Sequence, residues 1–179
     1  MAYHIRIKEG NLLDEEDADF IVNPSNTVLA LGSGVSGAFA RACGETLQAL
    51  MSQKLRETGA LRKGDVVATE GGGCTRFRSV LHAAVMDYNP GAAAMMPTLE
   101  DVRKILDNTE CILSEFARAH GRAVTLALPL MGTGVGGLDK REVLLIYRDF
   151  FGRESGFECE VTLYAHSAHD RTLMESLFA

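Results

Sequence analysis

The 179-residue chain has no apolar run of membrane-spanning length and no N-terminal stretch with the charged-then-apolar layout of a signal peptide. A cytoplasmic location without membrane contact is therefore expected. There is also no basic excess: the formal net charge is -6, which leaves no footprint for broad nucleic-acid binding or an anionic membrane surface. An anionic ligand must then be held by local geometry, and that points to backbone amides. The four cysteines (Cys43, Cys74, Cys111 and Cys159) lie far apart, form no C-x-x-C pair and lack the density of a disulfide scaffold. They read as reduced, mostly buried thiols. With no internal repeat, low-complexity tract or linker, residues 1–179 read as one domain, long enough to bury a substantial core.

What is present is an alternation of strands and helices. Tyr3, Ile5 and Ile7 alternate with His4, Arg6 and Lys8, the pattern of a half-exposed strand. Residues 19–23 read as a short buried strand stopped by Pro24, which lacks a ladder donor. From Gly37 to about Thr58 the spacing of Leu47, Leu50, Met51 and Leu55 predicts a helix. Two strands follow, at 65–69 and 77–85, and then a loop at 87–97. Thr98 and Asp101 have capping-box spacing at the start of a long helix that Gly121 closes. Its core face is Val102, Ile105, Leu106, Ile112, Leu113 and Phe116. An apolar strand at 123–128, a helix capped by Asp139, a strand at 158–165 and a helix capped by Ser167 complete the order. Strands alternating with helices predict a largely parallel sheet covered on both sides.

Ligands of such sheets sit where strands end and helices begin, because free amides converge there. Two segments have the composition for this. One is residues 22–26 followed by 31–37, which leads into a helix; the other is residues 128–137, between a strand and a helix. Glycine lets the backbone approach a ligand and turn several N–H groups toward a phosphate. Neither segment carries a Walker lysine, and the G-x-G-x-x-G-like stretch at 32–37 follows a loop and not a first strand. Triphosphate hydrolysis and a Rossmann dinucleotide site are both disfavoured.

Five motifs then occur in order: Gly10-Asn11-Leu12, Ile21-Val22-Asn23-Pro24-Ser25-Asn26, residues 32–37, Val80-Leu81-His82 and residues 129–137. Together they resemble the macrodomain family, whose usual forms are G-D-I, I-V-N-A-A-N, G-G-G-V-D-G-A-I, V-I-H and P-A-I-S-T-G-I-Y-G. The resemblance runs from about Ile5 to the C-terminus. It implies a three-layer α/β/α sandwich with a mixed, largely parallel, six- or seven-stranded sheet. It also implies a cleft for ADP-ribose, either free or attached to a protein or nucleic acid, and calls for no cofactor.

Carried across residue by residue, the resemblance implies that Asn11 and Leu12 meet adenine, although Asn11 replaces an aspartate and also suits a plain turn. Asn26 would bond the distal ribose, and Asn23 would brace the loop through backbone. The amides of Gly34, Val35 and Ser36 would face phosphate. Gly132, Thr133, Gly134, Val135 and Gly136 would close over it, with the Thr133 hydroxyl as an added donor. His166 takes the position that stacks on adenine, with Tyr164 as the alternative two residues earlier. The candidate catalytic positions are Asn26 and Ser36. Ser36 stands where hydrolytic members carry an aspartate, and Gly136 where they carry an aromatic. His82 reads as a hydrogen-bonded core histidine. His166 and His169 have H-x-x-H spacing, but no third ligand accompanies them, so no metal is expected.

Two functions of different class stay open. One is a hydrolase acting on ADP-ribosyl or O-acetyl-ADP-ribose linkages; the other is a reader that binds ADP-ribose and releases it unchanged. An unrelated α/β protein with ordinary glycine turns is a third.

Overall fold

The computed structural model describes residues 1–178. Its elements are β1 (Tyr3–Glu9), a 3-10 turn (Leu12–Asp14), β2 (Ala18–Asn26), α1 (Gly34–Thr58), β3 (Val66–Glu70), β4 (Phe77–Met86), α2 (Leu99–His120), β5 (Val124–Pro129), α3 (Lys140–Phe151), β6 (Cys159–Ala165) and α4 (Ala168–Phe178). The six strands form one sheet in the order β1-β6-β5-β2-β4-β3. The first five in that order are mutually parallel, and only β3 runs antiparallel, at the edge beside β4. This is the mixed α/β sandwich expected, with six strands.

Period-2 burial assigns the two faces. Phe20 and Val22 of β2 join Leu126, Leu128, Val161 and Leu163 under α2 and α3, whereas Ile21 and Val80 pack with Phe39, Leu47 and Met51 of α1. The capping box at Thr98 and Asp101 is present, and Gly121 ends α2 in the left-handed region at φ 63°. Along α2, Val102, Ile105, Leu106 and Leu113 are buried, while Ile112 and Phe116 are partly so. Among the described residues, no helix is long and apolar enough to cross a membrane.

Three boundaries differ from those read in the sequence. Strand β2 does not stop at Pro24 but continues to Asn26, with Pro24 opposite Ala83 of β4. Past Ile21 the strand no longer pairs with β5, so it behaves there as an edge, where a residue without an N–H is tolerated. Helix α1 begins at Gly34, a turn earlier than the apolar spacing indicates. It is also broken at Gly44, whose φ of 68° and ψ of -169° are not helical, so it is two helical segments meeting at a kink.

Candidate functional site

Because β1, β6, β5, β2 and β4 are parallel, the chain segments that leave their C-terminal ends emerge along one edge of the sheet. These segments are 10–14, 27–33, 87–98, 130–139 and 166–167. All the predicted site residues lie at that edge.

Gly34, Val35 and Ser36 form the first turn of α1, so their amides have no partner four residues back. No side chain caps them, and the first ladder bond is from Gly37 N to Ser33 O, 3.1 Å. The positive end of the helix dipole coincides with these three donors, an arrangement suited to an anion. Gly37 is required for a steric reason: a Cβ there would lie 2.6 Å from the Gly32 carbonyl oxygen.

The loop before this turn is held from within. Asn26 Oδ1 accepts from Ala30 N (3.1 Å) and Val28 N (3.3 Å), and its Nδ2 donates to Ala30 O (2.8 Å). From α1, Gln48 accepts from Leu31 N and donates to Leu29 O, at 2.8 and 2.9 Å. Leu29 is fully buried despite a φ of 50°, a conformation these bonds impose. Most of the bonding capacity of Asn26 is thus directed at its own loop.

The second loop leaves β5 at Pro129. The buried Tyr147 hydroxyl donates to Pro129 O (2.8 Å) and accepts from Met131 N (3.1 Å). Bonds from Leu138 N to Gly132 O and from Gly137 N to Gly134 O close the loop. The amides of Gly132, Thr133, Gly134, Val135 and Gly136 make no hydrogen bond among the described residues, while the Thr133 hydroxyl donates to Leu130 O at 3.3 Å. At Gly136 a Cβ would lie 2.6 Å from Gly132 O and 2.7 Å from Pro97 Cγ. An aromatic side chain is excluded there by the backbone itself. Gly136→Tyr should therefore cost about 1–3 kcal/mol as an overpacked site. Thermal unfolding measures it, and an unchanged Tm would show that the loop yields freely.

A third part of the edge is a cavity of about 340 Å³ lined by Ile7, Lys8, Glu9, Gly10, Asn11, Asp14, Tyr164 and Arg171. Asn11 caps the 3-10 turn, its Oδ1 accepting from Leu13 N at 3.1 Å, and the Leu12 side chain is buried. The exposed His166 is not part of the lining. The buried Tyr164 is, and its hydroxyl donates to Glu15 Oε2. Lys8 Nζ also donates to Glu15, at 3.0 and 3.2 Å, and lies 5.9 Å from the centre of the Tyr164 ring. Burial alone would raise the Glu15 carboxyl, but the bonds from Tyr164 and Lys8 outweigh it and hold the group below the usual carboxylate range. Burial and Glu15 together push the Tyr164 phenol up. Sequence reasoning missed Glu15, Lys8 and Arg171, because nothing local marks Glu15 as the partner of a residue 149 positions away.

Beneath α1 runs a buried polar chain. Asn23 Nδ2 donates to His82 Nδ1 (3.1 Å), His82 Nε2 donates to Thr69 Oγ1 (2.8 Å), and Thr69 donates to Glu70 O (2.9 Å). His82 is the core histidine expected, but Asn23 bonds this imidazole and not backbone. Asn23 Oδ1, Ser25 Oγ and Ser36 Oγ are buried without a hydrogen-bond partner among the described residues. Among the described residues, no group of three or more metal-ligating side chains is found.

A model of the Macro domain family matches residues 22–147. An uncharacterized protein of Aquifex aeolicus is 34% identical over 136 residues, covering 76% of this chain and 73% of that protein. A Klebsiella pneumoniae protein named O-acetyl-ADP-ribose deacetylase is 32% identical over 126 residues, covering 70% and 67%. Among solved structures, a Trypanosoma brucei macrodomain in complex with ADP-ribose superposes with a TM-score of 0.71 at 24% identity, covering 98% of this chain and 69% of that one. The chain spans less than two thirds of several other curated relatives it matches.

Proposed function

The chain belongs to the Macro domain family, and from that premise we propose that it binds ADP-ribose along the C-terminal edge of its sheet. One observation carries this reading: two sets of unpaired amides, Gly34 to Ser36 and Gly132 to Gly136, border the same edge. A pyrophosphate is the group such paired cradles suit, and the chain's acidic net charge offers no competing basic field. The cavity at Asn11 and Tyr164 falls in the size range of small-molecule pockets and would take the adenosine end. The distal ribose would then lie toward Asn26 and Ser36.

The proposed substrate class is ADP-ribose carried by a protein. Tyr88, Met95, Met96 and Val135 are all exposed, and their two loops adjoin, since a Cβ on Gly132 or Gly136 would lie 3.4 or 2.7 Å from Pro97 Cγ. With the adenine of ADP-ribose placed at the Tyr164 cavity, the free ligand leaves such a rim unmet, whereas a modified polypeptide has apolar surface to cover it.

Binding without turnover is the function the geometry supports best. His82 is bonded at both nitrogens, and Ser36 stands where the resemblance implies an aspartate in hydrolytic members, so neither of these two residues offers a free base. Hydrolysis is the second reading, favoured by the relative named O-acetyl-ADP-ribose deacetylase. In that case a phosphate oxygen of the ligand would orient the water.

Calorimetric titration tests the first reading: ADP-ribose should bind with micromolar affinity, and no heat at millimolar ligand would end it. Incubation with an ADP-ribosylated protein and with O-acetyl-ADP-ribose separates reader from hydrolase by whether either is consumed. For the adenosine end, Tyr164→Ala should weaken ADP-ribose binding by about tenfold, the scale of one lost aromatic contact. If His166→Ala has the larger effect, the stacking role lies there.

A further inference from the structure

Cys43 and Cys74 lie 31 positions apart in sequence, yet their sulfurs are 2.7 Å apart. The contact is built by the loop joining β3 to β4, which lies directly on the backbone of α1 at its kink. Gly72, at φ 62°, sits where a Cβ would be 2.7 Å from Leu47 N, and a Cβ on Gly73 would be 2.8 Å from Cys43 O. Gly73 N donates to that same Cys43 carbonyl at 3.0 Å, and Cys74 N closes the turn onto Gly71 O. The break at Gly44 leaves the Cys43 carbonyl available for this loop. Two backbones are thus pressed together by glycines with one thiol presented from each.

The two thiols differ in access. Cys43 is 1% exposed, and burial with the bond to Cys74 pushes its thiol pKa up. Cys74 is only half-buried and so is the more accessible of the two. That is the arrangement of a more accessible attacking sulfur with a buried resolving partner already in contact.

We propose that Cys43 and Cys74 form a redox modification site, closed to a disulfide by a peroxide or by a small-molecule disulfide and reopened by thiols. With peroxide, the Cys74 sulfur displaces hydroxide from the O–O bond and becomes a sulfenic acid. The Cys43 sulfur then attacks it, the S–O bond breaks, and water leaves with the Cys43 proton. Two thiols lose two electrons and two protons, and one hydrogen peroxide becomes two waters. The bond would clamp the C-terminal end of the segment 34–43, whose other end carries the free amides, to the β3–β4 loop.

The test uses the Cys111→Ser protein, so that the exposed Cys111 cannot link two molecules. Peroxide at low excess should lower the intact mass by about 2 Da, one pair of hydrogens. Trypsin should then release peptides 42–54 and 64–76 joined to each other. The Tm should rise by roughly 5–10 °C and fall back with dithiothreitol, as expected for closing a loop of this length. In Cys43→Ser, peroxide should drive Cys74 on to sulfinic acid with no joined peptides. Over-oxidation of Cys74 while Cys43 remains alkylatable in the Cys111→Ser protein, or a link that leaves Tm unchanged, overturns the proposal.

Discussion

Acidification from pH 7 to pH 5 should lower the unfolding free energy by about 2 kcal/mol through His82 alone. Its imidazole is fully buried between Asn23 and Thr69, and burial pushes its pKa down to about 3. In the unfolded chain it returns to about 6.5. Between these values the unfolded state binds a proton that the folded state refuses. The stability is therefore complete above about pH 6.5 and falls by up to ~1.4 kcal/mol per unit as pH drops toward 3. The other four histidines, His4, His120, His166 and His169, are on the surface. Asp19 and Asp101 act in a lower window. Burial would raise both carboxyls, but bonds from Arg122 and Thr125 to Asp19, and from Thr98 and Lys63 to Asp101, hold them below the usual range. Their contribution is present above about pH 4 and is lost only as pH falls through those depressed values. Urea unfolding at pH 7, 6 and 5 measures the His82 slope, and His82→Gln should flatten it. A wild-type profile flat over that interval would mean that the folded protein admits the proton.

The fold was legible because each element carries its own period or cap. The alternation at Tyr3, Ile5 and Ile7, the box at Thr98 and Asp101, and Gly121 each act within a few residues. The differences arise where distant chain decides. Pro24 stays in its strand because β5 has diverged from β2 by then, and Gly44 breaks α1 where the β3–β4 loop presses on it. At the candidate site, glycine spacing marked the two loops whose amides are unpaired, but of the side-chain engagements only the turn role of Asn11 was foreseen. Asn11, Asn26 and Thr133 all turn inward to backbone of their own loops, a choice fixed by local geometry that the identity of the residue leaves open. Glu15 gives the opposite lesson. It lies in the acidic stretch 14–17 and became recognisable only when β1 and β6 paired and brought Tyr164 beside it.

Gly37→Ala should reduce affinity for ADP-ribose by about a hundredfold while leaving the protein folded. The added methyl would lie 2.6 Å from Gly32 O and 3.5 Å from Gly32 C, so the obstacle is backbone and cannot rotate away. Either the Gly32–Ser33 peptide moves or the bond from Gly37 N to Ser33 O breaks, and both outcomes redirect the amides of Gly34, Val35 and Ser36. Two hydrogen bonds to a charged oxygen, at about 1.5 kcal/mol each, give that hundredfold. Two neighbouring substitutions separate aim from bulk. Gly34→Ala meets no atom within 4 Å but must adopt a φ of 60°, which costs roughly 1–2 kcal/mol of backbone strain with less effect on where the amides point. Gly134→Ala meets no atom within 4 Å and needs no positive φ, so its affinity should stay within a few-fold of wild type. Titrating the three variants orders them Gly37→Ala weakest, Gly34→Ala intermediate and Gly134→Ala nearly unchanged. If Gly37→Ala binds as tightly as Gly134→Ala, the first turn of α1 does not hold the phosphate, and the anion must be carried by the loop at Gly132–Gly136 alone.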